Sequence, residues 1–243
     1  MNQTHPIFPP FSVDDARRKV NVTEIKYGDD PDQVLEIYGD SDSAKPTLVL
    51  IHGGYWRNLF DREHLRPLAV ALAQSGNIVI VPEFRRVAGE PDVTLRDLSF
   101  ALSTLEDREI TLIGYSSGGH LALIVADKFA AVKKVIGLAP VTDMVESQAR
   151  ELGRGAVREW LGRDADQRPE LDPMMLPPIK AKTIFIQGAL DERVPIELTQ
   201  GYIEAMKRHG REIPLVVLPE ISHFQMMDIP SATYDAIIEA LAQ

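Results

Sequence analysis

Gly114-Tyr115-Ser116-Ser117-Gly118-Gly119 lies between two apolar runs, Ile110-Thr111-Leu112-Ile113 before it and Leu121-Ala122-Leu123-Ile124-Val125-Ala126 after it. The first run is short and rich in β-branched residues, as a strand buried on both faces reads. The second has the residues of a buried helix. Two serines among three glycines at that junction predict a tight strand-to-helix turn, with glycine wherever the two elements must pass closely.

Working outward, the same kind of run recurs at 47–51, 78–81, 135–138, 183–186 and 215–218. Between these runs lie segments of helical period. One covers 61–75, with Leu65, Leu68 and Leu72 on one face. A second carries Leu95, Leu98, Leu102 and Leu105. A third follows the serine turn, and two more cover 197–209 and 232–241. The alternation predicts an α/β fold with a mainly parallel sheet and helices on both faces. Residues 20–26 and 34–38 alternate instead, as antiparallel strands do. We read 1–243 as one domain, with 1–18 as an N-terminal arm. Residues 140–181 lack a clear sheet strand, and a long insertion at a strand's carboxyl end is a candidate lid or cap.

Composition narrows the function classes. The formal charge of −10 over 243 residues argues against a nucleic-acid partner. There is no cysteine, which removes disulfides, thiolate catalysis and thiolate metal sites. No apolar run approaches the ~18 residues of a membrane span, and the start lacks the pattern of a secretory signal. A cytoplasmic protein with no membrane partner is the expectation; a homodimer is compatible with the sequence.

Gly114-Tyr115-Ser116-Ser117-Gly118 also matches G-x-S-x-G between strand and helix, the context of a nucleophile elbow. In that frame Ser116 is the nucleophile. It needs a base. Among six histidines, His223 stands in a loop after the last predicted strand, where it can reach over the central strand. His64 and His209 fit helix or surface positions, and His120, one turn into the helix, fits packing. The acid that fixes the imidazole is best supplied by Asp191, after the preceding strand; Glu192, Asp143 and Asp228 are weaker candidates. His52-Gly53-Gly54-Tyr55-Trp56, after the strand 47–51, suits a loop whose amides stabilise an oxyanion. Its donors would be Gly54 and Tyr55, joined by the amide of Ser117. Trp56, Tyr115, Trp160 and Phe224 are candidates to line a substrate pocket, with packing as the other reading of each and loop anchorage the preferred one for Trp56.

Taken in order, HGGYW, VPEFRR, GYSSGGHLA, GALDERVP and SHF resemble the α/β-hydrolase superfamily over residues 47–225. HGGYW in particular resembles the kynurenine formamidase (arylformamidase) branch. The resemblance implies the triad Ser116, Asp191 and His223, oxyanion amides at Gly54 and Tyr55, and no metal or other cofactor. It also implies a small ester or amide substrate, with N-formylkynurenine first and a carboxylesterase as the competing activity. A non-catalytic binding protein on the same fold is the alternative from another class. The segment 81–86 resembles the support of the oxyanion loop; its arginines are expected to anchor that loop, with an anionic substrate as the other reading.

Overall fold

The computed structural model describes residues 8–40, 45–105 and 107–243. Eight strands form one sheet: β1 (Val22–Lys26), β2 (Val34–Tyr38), β3 (Thr47–Ile51), β4 (Val79–Pro82), β5 (Ile110–Tyr115), β6 (Val132–Leu138), β7 (Lys182–Gly188) and β8 (Leu215–Leu218). Their order is β1-β2-β4-β3-β5-β6-β7-β8. β2 is antiparallel to β1 and to β4, and the remaining neighbours are parallel. β6 begins three residues before the apolar run, because the exposed Lys133 and half-buried Lys134 interrupt the pattern.

The central strands are buried along their whole length, so successive side chains feed two cores. Val49 and Ile51 enter one, Leu48 and Leu50 the other. α3 (Pro91–Ser103), α4 (Ser117–Val125) and α7 (Ile196–Arg208) close the first core. α1 (Val13–Arg17), α2 (Arg66–Gln74) and α8 (Ala232–Ala242) close the second. This is the α/β-hydrolase arrangement. Of the expected arm, residues 1–7 lie outside the described residues. The rest holds α1, started by a reciprocal cap between Ser12 and Asp15.

Residues 140–181 contain no strand. They form α5 (Met144–Ala149), α6 (Ala156–Leu161) and three single 3₁₀ turns. Met144, Val157, Trp160, Leu161 and Leu171 of this segment are buried in the first core. The loop between α5 and α6 runs back over the carboxyl end of the sheet, beside Tyr55.

Candidate active site

The turn after β5 is built by steric need. Ser116 stands at φ 56° and ψ −121°, a region that costs a side-chain-bearing residue of order 1–3 kcal/mol. The chain can hold this turn because its neighbours are small. A Cβ on Gly114 would lie 2.4 Å from the Gly118 carbonyl oxygen, and one on Gly118 would lie 2.1 Å from that of Ile51. The Ser116 amide donates to Leu138, tying the turn to β6.

His223 and Asp191 arrive from the loops after β8 and β7. The Ser116 hydroxyl lies 3.1 Å from His223 Nε2, and His223 Nδ1 lies 2.8 Å from Asp191 Oδ2. A carboxylate only accepts, so Nδ1 carries the proton and Nε2 is left to accept from the serine. Asp191 is itself fixed, its other oxygen accepting from the amides of Arg193 and Val194 at 2.9 and 2.8 Å. Tyr115 stacks on the His223 ring at 5.0 Å and donates its hydroxyl to the His223 carbonyl at 3.0 Å. Burial, with Asp191 adding to it, pushes the Tyr115 phenol well above its usual range, so it stays a donor. Of the weaker acid candidates, Glu192 is exposed, and Asp143 caps α5 by accepting from the Glu146 amide.

Beside the serine, Gly54, Tyr55 and Trp56 take positive φ in succession (122°, 54° and 55°). Gly54 is needed there twice over, since a Cβ would also lie 2.8 Å from Phe60 Cβ. Ser117 is the first residue of α4, where amides have no intrahelical acceptor. Beneath the loop, His52 Nε2 meets Glu83 Oε1 at 3.0 Å, and Arg86 Nη1 reaches Glu83 at 2.9 Å and the Phe60 carbonyl at 2.9 Å. Burial opposes the charge on Glu83, yet His52, Arg86 and the Arg62 amide hold its carboxyl well below the usual range. Arg85 instead pairs with Asp97 at 2.7 Å. Both arginines therefore anchor structure, and neither lines the cavity over Ser116.

That cavity has a volume of about 260 Å³. It is walled by Phe8, Tyr55, Phe60, Tyr115 and Phe224, and holds Ser116, His223 and His64. A larger hollow of about 930 Å³ lies over β1 and α3, and neither serine nor histidine lines it. Tyr115 and Phe224 thus stand where a substrate would lie. Trp56 and Trp160 do not. They stack on each other at 5.0 Å in the first core, and Trp56 Nε1 donates to His120 Nδ1 at 3.3 Å. The pocket reading of Trp160 is corrected; Trp56 follows its preferred reading, since the turn at φ 55° sends the indole down into the core, where it anchors the loop. His64 is the reverse case. Expected on a helix or at the surface, it lines the cavity, stacked on Phe8 at 4.9 Å and edge-on to Tyr115. Burial and the neighbouring His52 push its pKa down to about 3, so it is neutral. Its Nε2 is buried and without a hydrogen-bond partner among the described residues. Among the described residues no group of three or more His, Asp or Glu is arranged to hold a metal ion, and no helix is long and apolar enough to cross a membrane.

Known proteins share this architecture. The chain is 24% identical to the esterase LipC of Mycobacterium tuberculosis, over 87% of this chain and 62% of LipC. It is also 24% identical to an acylamino-acid-releasing enzyme of Arabidopsis thaliana, over 58% of this chain and 20% of that protein. The chain thus spans less than two thirds of the length of either relative. Among solved structures, esterase B of Lactobacillus rhamnosis superposes with a TM-score of 0.73 at 21% identity, covering 92% of this chain and 84% of that one. Esterase 2 of Thermogutta terrifontis, phosphoramylated by tabun, gives 0.72 at 19% identity, with 91% and 94% covered. At such identities the likeness is one of fold. Residues 48–198 match the model of the alpha/beta hydrolase family, and on that match, over more than half its length, the chain belongs to this family.

Proposed function

We propose that the protein is a serine hydrolase that cleaves a small carboxylic ester or aryl formamide through an acyl-enzyme. The observation that carries this reading is the unbroken hydrogen-bond line from Ser116 through His223 to Asp191 at the floor of an aromatic cavity. Ser116 attacks the carbonyl carbon as His223 Nε2 takes its proton. Asp191 holds the imidazole in the required tautomer and stabilises the imidazolium. The amides of Gly54, Tyr55 and Ser117 receive the oxyanion, each donor contributing about 3–4 kcal/mol to the transition state. His223 then protonates the leaving group, and water discharges the acyl-enzyme by the same route. No step uses a cofactor.

The esterase relatives and neighbours support ester cleavage. The HGGYW loop and a cavity of about 260 Å³ with aromatic walls support a small aryl substrate, N-formylkynurenine first among them. A comparison of kcat/KM for N-formylkynurenine with p-nitrophenyl acetate and butyrate separates the two. A formamide value of ~10⁴ M⁻¹s⁻¹ or more, well above the esters, establishes a formamidase. Ester turnover with negligible formamide turnover leaves a carboxylesterase. Failure of folded protein to take a fluorophosphonate label on Ser116 refutes the hydrolase reading and leaves a ligand-binding protein.

A further inference from the structure

The cavity over Ser116 is lined by three arginines in a chain whose net charge is −10. They come from three separate loops: Arg57 beside the HGGYW turn, Arg154 from the loop between α5 and α6, and Arg193 beside Asp191. They are not equivalent. Arg57 is spoken for, bonded to Glu159 at 2.5 Å and to the Gly153 carbonyl at 2.7 Å. The Arg193 side chain lies over the Phe224 ring at 5.1 Å, and its one ion pair among the described residues is with the exposed Glu192, at 3.5 Å. Arg154 makes no ion pair or side-chain hydrogen bond among the described residues.

The backbone that presents Arg154 is costly. Glu151, Gly153, Arg154 and Gly155 all have positive φ, and Arg154 holds φ 58° where glycine or asparagine would be less strained. Gly153 lies flat against the Tyr55 ring, with room for no side chain: a Cβ would come within 2.6 Å of Tyr55 Cδ1. This packing sets the height of the next residue over the cavity. A strained, unpaired arginine held at the rim of an aromatic cavity, with a second little-engaged arginine in the same lining, is an arrangement for an anion. The fork geometry of guanidinium suits a carboxylate.

We propose that the natural substrate carries a carboxylate remote from its scissile carbonyl, and that Arg154 and Arg193 hold it at the cavity rim. This rests on the serine-hydrolase reading and adds the charge class of the substrate. Of the carboxylates beside Arg193, Glu192 is exposed, and Asp191 is turned to His223 and to backbone amides, so neither closes the face that Arg193 presents to the cavity.

The test compares the mono-p-nitrophenyl ester of glutaric acid with p-nitrophenyl valerate, esters of similar length that differ in a terminal charge. Wild-type protein should prefer the anionic ester, through KM, and lose that preference as ionic strength rises. R154A and R193A should each lower kcat/KM for the anionic ester by roughly ten-fold or more relative to the neutral one, and R154E should invert the preference. R154G keeps the left-handed backbone and should match R154A, which separates loss of charge from loss of loop shape. Equal losses on both esters, or no wild-type preference, would overturn the anion site while leaving the hydrolase standing. Calorimetry with 3-phenylpropanoate, which is not cleaved, gives a second readout. Binding that weakens at least ten-fold in R154A supports the anion site even if neither ester turns over, an outcome that would count against the hydrolase alone. Unchanged binding rejects it.

Discussion

Ser116 is one of the residues at which the fold accepts a local backbone cost. Its φ of 56° is tolerated because Leu138 takes its amide and three glycines clear the space around it. The hydroxyl has one strong partner, His223 Nε2, and that partner has one source of orientation, Asp191. Removing the nucleophile should therefore remove chemistry and leave structure. Ser116→Ala is expected to lower kcat for p-nitrophenyl butyrate by about 10⁴-fold or more, with the far-UV circular dichroism and Tm unchanged. Residual activity within ten-fold of wild type would reject the assignment. These residues were legible in the sequence because each follows a recognisable strand and the three types recur in a fixed order. His64 was not. Nothing in a helical period says which face will border a cavity, and the aromatic partners that enclose it, Phe8, Phe60 and Tyr115, come from separate segments of the chain.

At the scale of elements, the loop after β3 is held from below by charge. Glu83 at the end of β4 is buried and joins His52, Arg62 and Arg86, and Arg86 continues to the Phe60 carbonyl and the Asn58 side chain. Breaking a buried pair leaves an uncompensated charge and costs about 3–5 kcal/mol. Arg86→Leu should lower Tm sharply and reduce kcat by at least ten-fold, because the amides of Gly54 and Tyr55 lose their support. Arg85→Ala removes a pair that lies off that loop; buried Asp97 keeps Gln33 and the residue-85 amide, so Tm should fall while kcat stays near wild type. Equal kinetic effects from the two substitutions would show that the network does not position the loop. The glycines of α7 and α4 make a second contrast. A Cβ at Gly118 meets backbone at 2.1 Å, whereas one at Gly201 meets nothing within 4 Å. Gly118→Ala should fail to fold stably. Gly201→Ala should gain about 0.5–1 kcal/mol from helix propensity, measured by urea unfolding. The support role of 81–86 was legible through the resemblance that VPEFRR carries, not through its charges alone. The direction of Trp160 was not legible, since it lies on a six-residue helix too short to show by its period which face is buried.

Across the whole molecule, the sheet was readable because strands buried on both faces leave continuous apolar runs, and the helices because theirs leave a 3.6-residue period. Residues 140–181 leave little of either signal, a helix-like piece around Glu159-Trp160-Leu161 apart: α5 and α6 are six residues each, and 3₁₀ turns of three residues have no period to detect. Yet this segment determines how the first core is closed. His120 of α4 sits at 0% exposure between it and the HGGYW loop, donating to the Leu171 carbonyl at 2.8 Å and accepting from Trp56. Burial pushes its pKa down from 6.5 to about 4. The consequence is global. Between those two values the unfolded chain takes up a proton at this residue and the folded chain does not, so stability falls as pH falls. The contribution is whole above pH 6.5 and is lost progressively toward pH 4. Its size is about 3 kcal/mol, a large part of a typical folding free energy of about 5–15 kcal/mol. His120→Gln keeps polar atoms for both neighbours but does not titrate. Its Tm should be lower than wild type at pH 7.5 and should change less with pH between 6.5 and 4.5. Parallel Tm curves for the two proteins would mean that His120 is not the group that couples this buried junction to pH.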